Sequence, residues 1–305
     1  MPDPQDSAPL RIGLIGGTGL GQALGAEDGD AVEVDTPFGS PASPIVLTRW
    51  AGVDVAILQR HGPGHVFNPS DVPYRANVFA LKKLGCTHVV ASGATGSLRE
   101  ALVPGHLVLV DQFLDKTFKR DTTFYDRACG AVVHVEFSSP TCPVMKQWLL
   151  DAARRMGEEA TTEVHGRGTY VCMEGPQFST TAESHMHRGW GGDLIGMTAM
   201  PEAKLCREAE LPYALIGMPT DYDAWRPHDA DKGQHDLLEE IIGNLKHATA
   251  NAIALIKAAL AEPTPLREND CLGSDALRLA IWTDKSTIPC DKVERLQPLW
   301  GRYFG

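Results

Sequence analysis

Short β-branched runs alternate with helix-period segments along most of the chain, and no other feature restricts its fold as strongly. The pattern predicts strands near residues 11–15, 54–58, 88–92, 107–110, 169–173, 193–196 and 213–218. Helical periodicity falls at 73–84, 141–156, 181–189, 200–209 and 235–260. Strands separated by helices can share one sheet when the helices cover its faces. The expectation is therefore an α/β fold: a single domain with a mixed central β-sheet flanked by helices. Pro263 and Pro265 follow the last helix. They divide the chain into a disordered leader (1–9), a domain (10–262) and a C-terminal tail (263–305). The tail carries Trp282, Trp300, Tyr303 and Phe304, too many aromatic side chains for a disordered segment. It is expected to pack on the domain or on a neighbouring subunit.

A formal net charge of -11 argues against a general nucleic-acid binder, which normally presents a basic surface. No apolar run approaches the roughly 20 residues of a membrane span, and the opening MPDPQDSAPL lacks the layout of a secretory signal. The 7 cysteines include no CxxC pair and read as reduced thiols of a cytoplasmic protein rather than a disulfide framework. The histidines show no ligand spacing, so neither a metal nor an organic cofactor is expected.

The first strand runs straight into Gly16-Gly17-Thr18-Gly19-Leu20-Gly21. Glycines let the backbone approach a ligand and turn several N–H groups toward an anion. A dinucleotide reading is invited by Asp35, but Gln22 stands where the third glycine of that fingerprint belongs, and no Lys-Ser/Thr of a P-loop follows. The alternatives are an anion-binding turn with Thr18 as hydroxyl donor, or a plain tight turn.

A second candidate lies where the strand Val55–Leu58 enters Gln59-Arg60-His61-Gly62-Pro63-Gly64-His65. Arg60 offers a planar fork suited to phosphate, with His61 as a donor beside it; a structural salt bridge is the alternative for Arg60. After strand 88–92, Gly93-Ala94-Thr95-Gly96-Ser97 reads as another small-residue turn able to present backbone N–H groups. Three such turns converge naturally at one edge of a parallel sheet.

The segments GGTGL, RHGPGH, SGATGSLRE, MEGPQFSTTAES, IGMTAMPEA and TDYDAW occur in an order that resembles the methylthioadenosine phosphorylases, within the trimeric purine nucleoside phosphorylase superfamily. The resemblance covers roughly residues 10–260. It implies phosphate contacts from Thr18, Arg60, His61, Gly93, Ala94 and Thr198, with inorganic phosphate as co-substrate. It also implies a purine stacked on Phe178, a ribose over Met197, and Thr220, Asp221 and Asp223 at the base edge. His134 resembles a residue that reaches the 5′ pocket of a neighbouring subunit, so a homotrimer is implied. Read without the resemblance, Phe178 and Met197 are core residues and Asp221 with Asp223 a polar turn.

Phosphorolysis of an N-glycosidic bond needs a positioned phosphate and a stabilised leaving base. A carboxyl group held neutral by its surroundings can protonate N7 of the base, while an ionised one accepts from the N6 amino group. Paired aspartates therefore suit a 6-aminopurine, giving Asp221 and Asp223 the catalytic role. The sequence departs from the family pattern at Gly93, often threonine, and at Gly196, usually asparagine. It departs again at the start of the last helix, where Gln234 or His235 replaces an apolar wall for the 5′ group. A polar wall there favours adenosine alongside methylthioadenosine. Competing readings are a purine nucleoside phosphorylase for 5′-hydroxyl substrates, a hydrolytic nucleosidase, a nicotinamide-dependent oxidoreductase and a non-catalytic nucleoside sensor.

Overall fold

The computed structural model describes residues 9–24, 28–157, 162–227 and 233–304; apart from Pro9, the leader lies outside them. The sheet centre consists of β1 (Arg11–Gly16), β4 (Val53–Gln59) and β5 (His88–Ser97), all parallel, with β1 in the middle. Outside β4 lie β3 (Ile45–Trp50) and the edge strand β2 (Asp30–Val32), paired antiparallel. On one edge of β5, past β1, come β10 (Leu194–Gly196), β9 (Thr169–Cys172) and β7 (Gln112–Asp115). The other edge of β5 pairs in parallel with β11 (Tyr213–Tyr222), followed by β6 (Leu107–Val110) and β8 (Val164–His165).

Strand alternation sends side chains to two cores. Ile12, Leu14, Val55 and Ile57 enter one, while Ile15, Ala56 and Leu58 enter the other. The first core is covered by α1 (Leu20–Leu24), α3 (Pro143–Met156) and α6 (Gln234–Leu260), through Leu20, Trp148, Leu149, Leu255 and Ile256. The second is covered by α2 (Tyr74–Lys83) and α5 (Ala199–Glu208), through Val78, Phe79, Ala203 and Leu205. The helix α4 (Thr181–Gly189) begins with a capping box between Thr180 and Glu183, which satisfies first-turn N–H groups.

Among the described residues, four strands escape the periodicity reading: β2, β3, β7 and β8, of which β2, β7 and β8 have four residues or fewer. A correction of more consequence concerns Gly93 to Ser97, which continue β5 rather than turning, because β11 pairs alongside from Val89 to Ser97. The dinucleotide reading loses its geometry as well. Asp35 follows an edge strand that pairs antiparallel, not the parallel neighbour on which a ribose-binding acid sits.

The tail contributes to both cores: Leu266 and Cys271 to the first, and Leu277, Ile288, Leu299 and the fully buried Trp300 to the second. Glu210 fastens it, accepting from Leu277 N (2.9 Å) and Tyr303 OH (2.6 Å) and pairing with Arg302 (2.6 Å). Six of the seven cysteines are buried free thiols, and Cys290 is exposed. Among the described residues, no helix is long and apolar enough to cross a membrane.

Candidate active site

The site grows from an interruption in the ladder on β5. Along one edge β1 pairs with it only as far as Ala91, and β10 resumes pairing at Gly96 and Ser97. The interval between them contains Gly93 and Ala94, whose main chain is left open on that edge. Into this interval point the ends of β1 and β4, since Gly16 lies opposite Gln59 in their register. Arg60 N donates to Gly16 O (3.0 Å), which ties the Arg60-His61 segment to the glycine turn.

Arg60 is 0% exposed. Its Nε donates to Glu202 Oε2 (2.7 Å), Nη2 to Glu202 Oε1 (2.9 Å) and Nη1 to Ser92 O (2.8 Å). A fork open to phosphate is therefore not what the fold provides. Burial disfavours the guanidinium's charge, but the Glu202 carboxylate outweighs it and raises the pKa above the ordinary arginine value. Of five N–H donors three are engaged, leaving one on each terminal nitrogen. A Cβ on Gly17 would lie 2.7 Å from Nη1 and 2.8 Å from Ser92 O, so only glycine allows the turn to rest on the guanidinium. Thr198 closes the other side, its Oγ1 3.8 Å from where a side chain would leave Gly93.

His61 also differs from its expected role as a side-chain donor. Its Nδ1 lies 2.9 Å from Phe67 O, and a carbonyl can only accept, so Nδ1 carries the hydrogen. Burial, then the positive Arg60 next to it, push its pKa down to about 4. In the neutral ring Nε2 is an acceptor. His65 stacks on it at 4.2 Å.

Beside the interval lies a second group of side chains. Met197 follows β10, and its Sδ would stand 2.5 Å from a Cβ on Gly175, whose φ is +69°. Phe178, three residues on, is 85% exposed, an unfavourable position for a large apolar side chain in a lone chain. Beside β5, β11 bulges between Pro219 and Asp221. The bulge gives Thr220 and Asp221 their own orientation: Thr220 Oγ1 lies 2.7 Å from Asp221 Oδ1 and 3.3 Å from Thr95 O. Asp223 N donates to Ser97 O (3.0 Å), and its Cβ packs 3.2 Å from the Cβ direction of Gly96. Ser92 Oγ, Thr95 Oγ1, Asp223 Oδ2 and His187 Nδ1 are buried polar atoms without a hydrogen-bond partner. Such atoms are costly in a core that serves only stability.

Several contributors escaped the sequence reading. Glu202 lies within IGMTAMPEA, but nothing local in that segment announces its pairing with a residue 142 positions away. Arg120, buried, donates from Nη1 to Met197 O (2.5 Å) and Met200 O (2.6 Å), and from Nη2 to Glu174 O (2.8 Å). It thereby fastens the Met197 and Phe178 segments to one guanidinium. Lys116 Nζ donates to His187 Nε2 (2.8 Å), which leaves the His187 hydrogen on Nδ1. Burial and Lys116 lower the His187 pKa, with Asp223 pulling weakly the other way. The departure at Gly196 has a steric reason, because Tyr170 OH occupies the place of any side chain there.

Two expected residues make their contacts outside the interval within this chain. His235 is 82% exposed and pairs with Glu239 at 3.4 Å, so this chain alone offers no 5′ wall from it; the side chain of Gln234 lies outside the described residues. His134 packs edge-on against Trp282 at 4.9 Å and donates from its backbone N to Ala280 O (3.0 Å), which places it with the tail.

The Phosphorylase superfamily model matches residues 11–261. The chain is 44% identical over 293 residues to an S-methyl-5'-thioadenosine phosphorylase of Geobacter sulfurreducens, covering 96% of this chain and 98% of that one. A methylthioadenosine phosphorylase from an antarctic soil metagenomic library superposes with a TM-score of 0.86 at 41% identity, over 96% of this chain and 99% of that one. The Schistosoma mansoni methylthioadenosine phosphorylase in complex with adenine gives 0.78 at 35% identity, over 90% and 99% respectively. With an open interval in β5 beside a buried arginine and likeness along nearly its whole length, the chain belongs to the phosphorylase superfamily, in the family of the S-methyl-5'-thioadenosine phosphorylases.

Proposed function

We propose that the chain catalyses phosphorolysis of S-methyl-5'-thioadenosine, releasing adenine and the sugar 1-phosphate. The observation that carries this reading is the uncovered stretch of β5 at Gly93 and Ala94, with the Arg60 guanidinium, the Gly17 turn and Thr198 beside it; Thr18 and His61 flank Gly17 and Arg60 in sequence. Phosphate seated there meets main-chain N–H groups and a cation already desolvated and neutralised by Glu202. Little reorganisation then remains for the reaction itself. Because His61 Nε2 is an acceptor, it receives the P–OH hydrogen of monohydrogen phosphate, while hydroxyl and main-chain donors take the charged oxygens.

A phosphate oxygen forms the bond to C1′ as the C1′–N9 bond breaks, and that electron pair leaves with the purine. Phe178 stacks on the base, Met197 lies under the ribose, and Asp221, Asp223 and Thr220 meet the base edge. A carboxyl proton delivered to N7 neutralises the departing ring, and a carboxylate accepting from N6 selects the 6-amino group. The exposed apolar side chains of Val132, Leu279 and Trp282, gathered around His134 by the Val133–Ile281 bridge, support a homotrimer in which this face meets a neighbour. The cytoplasm, whose thiols stay reduced, fits the six buried free cysteines.

The deciding experiment follows adenine and sugar phosphate from S-methyl-5'-thioadenosine with and without inorganic phosphate. Both products should form in equal amounts, and only when phosphate is present. Adenine release at full rate without phosphate identifies a hydrolase instead. Sedimentation should give three times the 33.0 kDa chain mass.

A further inference from the structure

On the sheet margin formed by β6 and β8, the chain brings together side chains that the sequence separates. His106 immediately precedes β6, and the parallel register sets Leu107 opposite Val164 and Val108 opposite His165. Leu107 N donates to Glu163 O (3.0 Å) and Thr162 Oγ1 to Gly105 O (2.7 Å), so both strand ends are held by main-chain bonds. His106 Nδ1 then stands 2.9 Å from His165 Nε2, across 59 residues of sequence. Glu163 Oε1 lies 3.6 Å from His165 Nδ1. One ligand atom from each of the three residues falls within 4.8 Å of the others.

The geometry points to a binding site for a divalent late transition-metal ion at His106, His165 and Glu163, none of which belongs to the phosphorolytic centre. Two imidazoles and a carboxylate form a donor set suited to Zn2+ and its neighbours rather than to Mg2+ or Ca2+. In the metal-free chain a single hydrogen between the two ring nitrogens satisfies the 2.9 Å contact. An ion bound to both nitrogens at about 2.0–2.1 Å in tetrahedral geometry needs them about 3.3 Å apart, so the rings separate by only a few tenths of an ångström. The displaced hydrogen moves to Nε2 of His106, and no net proton is released. Glu163 either supplies the third ligand or accepts from His165 Nδ1, which keeps the lone pair on Nε2. The absence of ligand spacing in the sequence reflects separation along the chain, which strand pairing removes.

The test titrates chelator-treated protein with Zn2+ by calorimetry and with Co2+ by visible absorption. Expected results are one Zn2+ per chain, at least tenfold weaker binding in His106→Ala and in His165→Ala, and about tenfold weaker binding in Glu163→Gln. One equivalent of Co2+ should give a ligand-field band in the wild-type protein. Equal Zn2+ affinity in the wild type and in the double histidine variant overturns the assignment. Should the variants not fold, a wild-type protein without the Co2+ band overturns it alone.

Discussion

Arg60 and Glu202 face each other inside the protein as a two-pronged ion pair, at 2.7 and 2.9 Å, with Tyr213 OH donating to the same carboxylate at 2.8 Å. The pair orients the arginine beneath the open stretch of β5. Glu202→Ala leaves a guanidinium buried without its counter-charge, which costs about 3–5 kcal/mol. Denaturant unfolding should register that loss, together with a raised KM for phosphate. A loss under about 1 kcal/mol would show that water reaches Arg60.

Gly93 has room for a side chain, the nearest atom to its Cβ position being Thr198 Oγ1 at 3.8 Å. Gly93→Thr adds a hydroxyl beside the phosphate seat. Its expected effect is a several-fold lower KM for phosphate, at about 1 kcal/mol per added hydrogen bond, with the nucleoside KM unchanged. Steady-state kinetics with phosphate varied checks this.

Phe178 contributes little to the fold of the single chain, because most of its surface is open. Stacking on a base is worth about 1–3 kcal/mol. Phe178→Ala should therefore raise the KM for nucleoside about tenfold while leaving the thermal midpoint where it was. A large drop in midpoint would instead assign Phe178 to a subunit contact.

Asp221→Asn replaces an acceptor at the base edge by an amide that can donate to a 6-oxopurine. The ratio of adenosine to inosine kcat/KM should fall by at least tenfold. An unchanged ratio removes Asp221 from base recognition.

Glu208, accepting from Thr123 Oγ1 and Phe124 N (both 2.8 Å), has its pKa pushed up to about 7 by burial. Its folded value lies above the unfolded one, so its contribution is complete below about 4.5 and is lost as pH rises through about 7. Burial lowers His61 and His88 to about 4, so their contributions run the other way, complete above about 6.5 and lost as pH falls through about 4. Glu208→Gln should gain on the wild type between pH 5 and 8, by up to about 3 kcal/mol. Urea unfolding of both proteins at a series of pH values measures this, and a constant difference refutes it.

Local pattern disclosed most of the architecture. The central strands are uniformly apolar and the helices are periodic, so β1, β4, β6 and α2 to α6 could be read from residues alone. Gly93 to Ser97 could not, because their glycines look like a turn and only the partner β11 makes them a strand. The site divided in the same way. Short-range motifs pointed to Thr18, Arg60, His61 and the aspartates. The buried pairing of Arg60 with Glu202, the grip of Arg120 on Met197 and the tautomer of His61 each depend on a neighbour brought in by tertiary folding. His106 and His165 are the extreme case.

The phosphate seat proposed here is framed by missing strand pairing, around which Arg60 and its neighbouring side chains gather. Its position is therefore encoded by the lengths of β1 and β10 relative to β5. Point substitutions along residues 92–95 leave such a feature standing so long as they fit sterically. A one-residue insertion or deletion in the same segment shifts the whole frame by one pleat and turns every alternate group to the opposite face. Functional variation in this protein should thus be tolerant of spelling and intolerant of length.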